Sequence, residues 1–414
     1  MSNCVIIIGA GASIEFVNTQ KLTNALIMQK LQAKKAWSSF LEKHLKPQET
    51  EEIISYITSC IERVKREDDN FEDIIEIVDK ACTLSNSHKF SNSLLIRTID
   101  YITKGKLTAS KDKHLLINIP FYIREFIAEQ ISEYNIELGG SDESLELLNL
   151  QHEFIKELKT IFGSVSIHSL NYDDCISRSL DKLEINSGFD EFGNFNKDTY
   201  QSANNVLSYL HGTPHFIPEF IFLSGSSSIV RYEKDCERAA QERWRLSEIH
   251  PGLLTKGKNC PDYNHYITTG QSKNSHFYNQ PYASYYTRLT KDLGEADIIF
   301  IIGYSFGDEH INQLLASAQN YANPKVFVII DFDDPNPEGN EDRIREKLHN
   351  IINKLDVLYF ENASKKQFEI ILEQLKHTAF AKIQSDIYYY NKGYSTFLNE
   401  DIRSIILNDF APFV

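Results

Sequence analysis

The chain has 414 residues, 42% hydrophobic and 24% charged, with 11 prolines, a balance that excludes collagen-like, disordered and low-complexity classes. Lys and Arg number 43 against 58 Asp and Glu, and the resulting charge of −15 disfavours strong nucleic-acid binding or attraction to an anionic membrane. Six cysteines (Cys4, Cys60, Cys82, Cys175, Cys236 and Cys260) include no CxxC pair, which fits neither a disulfide framework nor a zinc ribbon and points to a reduced cytoplasm. The first apolar run stops at Gly9, short of a signal or membrane segment, so a cytoplasmic protein is expected.

Residues 4–8 are apolar and largely β-branched, Gly9-Ala10-Gly11-Ala12-Ser13 follow, and helical spacing runs from about 19 to 31, giving strand, glycine turn and helix. From 37 to 160 the periodicity is helical almost throughout, as at Ile53, Ile54, Ile57, Ile61 and Val64, which predicts a helical insertion. Short apolar runs at 165–170, 206–210, 220–223, 297–302, 326–330 and 357–360 predict strands of a parallel sheet covered on both faces. The polar, aromatic stretch 224–289 is expected to be an irregular or partly helical cover over the site. Beyond 364 amphipathic helices are expected, with Phe368, Ile371, Leu372 and Leu375 in one stripe. The predicted fold is α/β and Rossmann-like, a mostly parallel sheet with helices on both faces. Its discontinuous core takes residues 1–36 and 161–362; 37–160 is the large helical insertion after the first βα unit, and 363–414 a helical C-terminal segment packed on the core.

Four clusters fall at predicted strand ends, where a parallel sheet gathers its ligand-binding groups. In the first, Gly9, Ala10, Gly11 and Ser13 offer close backbone approach to a phosphate, although Ile14 replaces the third glycine of the GxGxxG fingerprint. The second, His168-Ser169-Leu170-Asn171-Tyr172-Asp173-Asp174, supplies Asn171 and Asp173 to the crevice, with helix capping as the bland alternative and Asp174 as the expected capping or solvent residue. In the third, His211 before Gly212 is a candidate general base. The fourth, Gly303-Tyr304-Ser305-Phe306-Gly307-Asp308-Glu309-His310, offers Gly303 and Ser305 as further phosphate or ribose contacts. It also matches GxSxG, so a serine esterase is a rival, with Ser305 as nucleophile, Asp331 or Asp333 as acid, and His349 or His377 as base. Asp331, after the strand at 326–330, is a candidate ribose acceptor or simply part of a turn.

Taken in order, Gly9-Ala10-Gly11-Ala12-Ser13, Ser169-Leu170-Asn171-Tyr172-Asp173, His211-Gly212 and Gly303-Tyr304-Ser305 resemble the successive motifs of the sirtuin-like family. The resemblance implies that the first motif cradles the pyrophosphate of NAD, Asn171 and Asp173 meet the nicotinamide ribose and its pocket, and His211 is the base. Gly303 and Ser305 would then contact the adenosine half. Sirtuin deacylases carry four zinc-binding cysteines between the last two motifs; here only Cys236 and Cys260 lie there, and His215, His250, His265 and His276 lack paired ligand spacing. No metal and no zinc are therefore expected, and protein deacylation is the least favoured activity. The chain resembles instead the bacterial antiphage branch, which implies an NAD glycohydrolase that takes NAD as substrate and releases nicotinamide and ADP-ribose. Implied partners are further copies of the chain, a HerA-type ATPase or a short Argonaute. A catalytically idle nucleotide-binding assembly subunit stands as the third class beside the hydrolase and the esterase.

Overall fold

The computed structural model describes residues 2–14, 141–211 except 174, 181 and 190–194, 281–319, 325–332, 341–355 and 365–399 except 385, with a few single positions such as Phe16. The expectations for 19–31, most of 37–140, 212–280 and 357–360 lie outside these residues. In chain order the elements are β1 (Asn3–Ile8), α1 (Ala10–Ile14), α2 (Asp142–Ile161), β2 (Ser164–Ser169), α3 (Cys175–Ser179), α4 (Lys197–Ser202), β3 (Val206–Tyr209), α5 (Tyr282–Glu295), β4 (Ile298–Ile302), α6 (Glu309–Gln319), β5 (Val326–Ile330), α7 (Glu341–Lys354), α8 (Lys365–Thr378), β6 (Phe380–Gln384), β7 (Ile387–Tyr390) and α9 (Tyr394–Asn399). Among the described residues no helix is long and apolar enough to cross a membrane.

The seven strands form one sheet in the order β3-β2-β1-β4-β5-β7-β6, parallel except for the antiparallel β6–β7 pair at one edge. The order runs outward from β1 in one direction and resumes from β4 in the other, so the crevice between the ends of β1 and β4 is the switch point at which open α/β sheets bind ligands. The register aligns the rim: Ile8 pairs with Ser169 and Ile302, Ser169 with Tyr209, and Ile302 with Ile330. The residues that follow these strands, Gly9, Leu170, Leu210, Gly303 and Asp331, therefore leave the sheet along one edge.

Alternation along the strands assigns the two faces. Ile6, Ile167 and Phe300 are in register and share one face, where the Phe154 ring of α2 meets Phe300 edge-on at 5.7 Å and Phe397 of α9 at 5.5 Å. Ser141 caps α2 through the Ser144 amide, and Leu147, Phe154 and Leu158 turn its apolar stripe inward. The last helix of the insertion thus packs on the common core. On the opposite face, α5 covers β1 and β3, so the end of the stretch expected to be irregular or partly helical is a regular amphipathic helix.

The C-terminal segment is helical over α8, where Ile371, Leu372 and Leu375 are buried as the stripe requires, and again over α9. Between them the expected helix is replaced by β6 and β7, which extend the sheet beyond residue 362. Ala379, at φ +56, ends α8, and the aromatic run Tyr388-Tyr389-Tyr390 suits a pleated strand better than a helix.

Beneath the rim the α5 face is held by polar contacts. His168 Nδ1 lies 2.8 Å from Ser208 Oγ, which is 2.5 Å from the Tyr200 hydroxyl, while His168 Nε2 lies 3.2 Å from Asp292 Oδ2. Arg288 Nε donates to Asp292 Oδ1 at 2.7 Å, and its Nη1 donates to the carbonyls of Tyr200, Gln201 and Ala203. Burial alone would raise the Asp292 carboxyl, but the hydrogen bond and charge of His168, the charge of Arg288 and the Ser166 hydroxyl together hold it below the usual carboxylate range. Because its folded value is depressed, its contribution is present above the unfolded carboxyl value, about 3.9, and is lost as pH falls through the folded one. Asp292→Asn should cost about 3–5 kcal/mol at pH 7, because it leaves Arg288 buried without its counter-charge. Urea unfolding should show the gap from wild type shrinking only below about pH 4.

Candidate active site

The glycine turn after β1 is packed directly against the turn after β4. Gly9 N–H donates to the Ile302 carbonyl and Gly11 N–H to the Gly303 carbonyl, each at 2.8 Å. A Cβ on Gly9 or Gly11 would stand 2.6 or 2.9 Å from the Gly303 oxygen. Gly303 adopts φ +59, and a Cβ there would overlap the Ala12 backbone nitrogen. The glycines thus close the switch point backbone to backbone. This corrects the expectation that the Gly9 and Gly11 amides cradle a phosphate, since both N–H groups are spent on β4. Ala10 is exposed at the start of α1.

Asn171 bridges from the β2 end to this junction. Its Nδ2 donates to the Gly9 carbonyl at 3.0 Å and to Ser13 Oγ at 2.7 Å. Because the carbonyl only accepts, the nitrogen must face it, and Oδ1 is turned the other way. That oxygen is buried, in a side chain 5% exposed, and has no hydrogen-bond partner among the described residues. An unmet buried acceptor of this kind is costly unless a donor arrives. Asp173 is also buried; its Oδ1 accepts from the Cys175 amide at 3.1 Å and opens α3, so Asp173 makes the capping bond expected of Asp174, which lies outside the described residues.

Ser13, Asn171 and Asp173 line one pocket with Gln151, Phe16 and Tyr394. Gln151 comes from α2 and carries a second buried acceptor, Oε1, with no partner among the described residues. Nothing in the sequence singled it out, because a glutamine between apolar positions looks like any solvent-facing helical residue.

His211 does not line that pocket. It stands one strand further along the rim, 3% exposed, with Nε2 3.9 Å from Asp308 Oδ1 and its ring centred 6.2 Å from Tyr172 and 6.1 Å from His310. Tyr172, between Asn171 and Asp173 in sequence, connects the two clusters. Tyr286 of α5 also reaches this group: its oxygen is 3.1 Å from His310 Nε2 and 3.4 Å from the Leu210 carbonyl. Burial, and then the charge of Asp308, push its phenol well above the ordinary tyrosine range, so it remains a donor. Asp308 and His310 stand within the fourth motif, but no local pattern gives them a role, and Tyr286 carries no signal of its own in the sequence.

The turn after β4 is rigid. Asp308 N–H donates to the Tyr304 oxygen at 3.1 Å, that hydroxyl lies 3.0 Å from both the Asp308 carbonyl and Asn312 Oδ1, and Asn312 Nδ2 donates to the Phe306 carbonyl. Phe306, at φ +59, is the non-glycine residue held in the left-handed region, whereas Ser305 is exposed and has no positive φ. His349 and His377 are exposed and make no hydrogen bond to Ser305. Asp331 accepts from Lys347 Nζ at 2.7 Å and from the Phe332 amide at 2.8 Å. The serine triad drawn from Ser305, Asp331 and either histidine is therefore not assembled, and Asp333 lies outside the described residues. Asp331 does reach the β5 end of the rim, already paired with Lys347.

Polar side chains ranged along the carboxyl edge of a doubly wound sheet, with the tightest backbone contact at the switch point, define a nucleotide-type α/β site. Residues 165–352 match the family model described as a SIR2-like domain. Over these residues the chain is similar to a sirtuin-like α/β domain, a kind of domain associated with NAD-related enzymatic chemistry. The match includes Asn171, Asp173, His211 and Gly303; β1, with its glycine turn, lies before it and joins the same sheet between β2 and β4. No curated protein matches the chain significantly.

Gly303→Ala should destabilise the fold by at least about 1–3 kcal/mol, since the left-handed backbone and the contact with Ala12 both oppose a side chain. Gly307→Ala, whose Cβ would meet only Ser305 Oγ at 3.5 Å, should cost less. Equal unfolding midpoints for the two variants would contradict the packed junction.

Proposed function

We propose that the chain hydrolyses NAD to nicotinamide and ADP-ribose. The observation that supports this reading is the buried Oδ1 of Asn171 beside the glycine junction, which has no partner among the described residues, with Gln151 Oε1 a second such acceptor in the same pocket. A ribose hydroxyl, a carboxamide N–H and a water are donors of the kind these atoms lack, and NAD with its attacking water offers all three.

The bond to be broken joins the ribose to a cationic pyridinium, so nicotinamide leaves neutral and needs no acid. The transition state is oxocarbenium-like, and its stabilisation depends on position and charge. Asn171, anchored through Gly9 and Ser13, orients the ribose hydroxyls or the water. Asp173 supplies negative charge to the same pocket, for the carboxamide or the developing cation. His211 takes the proton released as water attacks, directly or through the ribose hydroxyls, and the Asp308 carboxylate stabilises the imidazolium that results. Ala10, Ser13, Gly303 and Ser305 are the contacts proposed for the rest of the dinucleotide.

In a cell, this activity drains NAD, which suits an effector of antiphage defence. Unrestrained turnover would harm its host, so control by self-association or by a separate defence protein is part of the proposal. Asn171→Ala and His211→Ala should each lower nicotinamide release by about 10²–10⁴-fold with the fold intact, while Ser305→Ala retains turnover. Chromatography of nicotinamide beside circular dichroism of each variant measures this. Full activity in the first two would refute the assignment, and loss in Ser305→Ala alone would restore the esterase.

A further inference from the structure

His211, Asp308 and His310 each offer one ligand atom, and the three atoms lie within 4.8 Å of one another. We propose that they form a binding site for a borderline divalent cation, with zinc as the fitting ion, and that metal bound there masks His211. The donor set differs from the cysteine ribbon, whose absence from the sequence led to the expectation of no zinc.

Two donors held about 2.1 Å from a tetrahedral zinc stand about 3.4 Å apart, so the 3.9 Å between His211 Nε2 and Asp308 Oδ1 needs closing by about half an ångström, and the remaining pairs, within 4.8 Å, by at most about 1.4 Å, which side-chain rotation supplies. Two imidazoles and one carboxylate suit zinc in charge and softness, and three protein ligands leave a fourth position for water. The ligands come from rigid elements. His211 is fixed by the end of β3; the Asp308 backbone is tied to Tyr304; and His310, in the first turn of α6, has its Nε2 3.1 Å from the Tyr286 hydroxyl. The three residues come from two strand ends that the topology separates by β2 and β1, so their convergence comes from the fold rather than from sequence proximity.

A zinc-bound imidazole has given its lone pair to the metal and cannot accept a proton from water. The masking therefore follows if His211 is the base, and this part rests on the function proposed above; metal binding itself does not.

The full chain, stripped with a chelator and dialysed against micromolar zinc without NAD, should retain one equivalent that competes with the chelator. His310→Gln and Asp308→Asn should each weaken binding at least ~10-fold. Cobalt(II) in place of zinc should give visible bands of a four- or five-coordinate site without the near-ultraviolet thiolate band of cysteine ligands. Circular dichroism identifies a variant that fails to fold, in which case the other variant and the cobalt spectrum decide. No retained zinc, retention unchanged in the folded variants, or a thiolate band would overturn the site. In the second arm, zinc should slow nicotinamide release by wild type but spare His310→Gln, which keeps basal turnover. Zinc that binds without slowing wild type overturns the masking. A chain that releases no nicotinamide at all counts against the hydrolase reading and leaves the dialysis result to decide the site.

Discussion

Between the ends of β1 and β4 there is no space for a side chain. Gly9 and Gly11 press on the Gly303 carbonyl, Gly303 presses back on Ala12, and two backbone hydrogen bonds of 2.8 Å close the contact. The Gly9 carbonyl accepts from the Ala12 amide and from Asn171 Nδ2, and Asn171 is thereby turned so that its own oxygen has no partner among the described residues. A glycine-rich turn usually suggests a ligand held by free amides. Here the glycines bring two strands together, and the ligand-facing group is the side chain that the junction orients.

The same economy holds on the α5 face. A parallel sheet whose strands are buried on both sides has little tolerance for polar groups, yet β2 and β3 carry Ser166, His168 and Ser208 inward, all almost fully buried. Asp292 and Arg288 of α5 meet them, and Arg288 in turn gathers three carbonyls from the end of α4. This network fixes α5 against β2 and β3. Tyr286, on the same helix, is thereby set against the Leu210 carbonyl and His310, so the position of the histidine cluster is coupled to a buried ion pair within two turns of it.

Much of the sheet was legible because consecutive apolar, β-branched residues mark strands covered on both faces. The strand at 326–330 has those bounds, and those expected at 165–170, 206–210 and 297–302 shift by one residue. Asn171 and His211 stood out because polar residues directly past such a run must reach the rim. The same rule could not foresee how the Gly11 amide is used, since a free amide and one bonded to Gly303 look alike in sequence. Gln151 and Tyr286 sit on helices, where periodicity reports which side faces the core but not which strand end lies above it. The β6–β7 hairpin was hidden for a different reason. Tyr388, Tyr389 and Tyr390 form no alternating pattern, and their preference for a strand is realised only because β5 offers an edge to pair with. Asp308 and His310 were in view, but their meeting with His211 depends on the order of strands, which no local pattern encodes.

NAD is proposed to lie in the crevice beside the glycine junction, with its nicotinamide ribose between Asn171 and His211. The most direct measurement is a crystal structure of the His211→Ala chain soaked with NAD, a variant chosen so that the dinucleotide survives. The ligand is expected across the ends of β1 and β4, with a donor of NAD or an ordered water within hydrogen-bond distance of Asn171 Oδ1 and the ribose facing position 211. A dinucleotide bound at the opposite, amino edge of the sheet, or an Asn171 oxygen satisfied by protein alone, would contradict it.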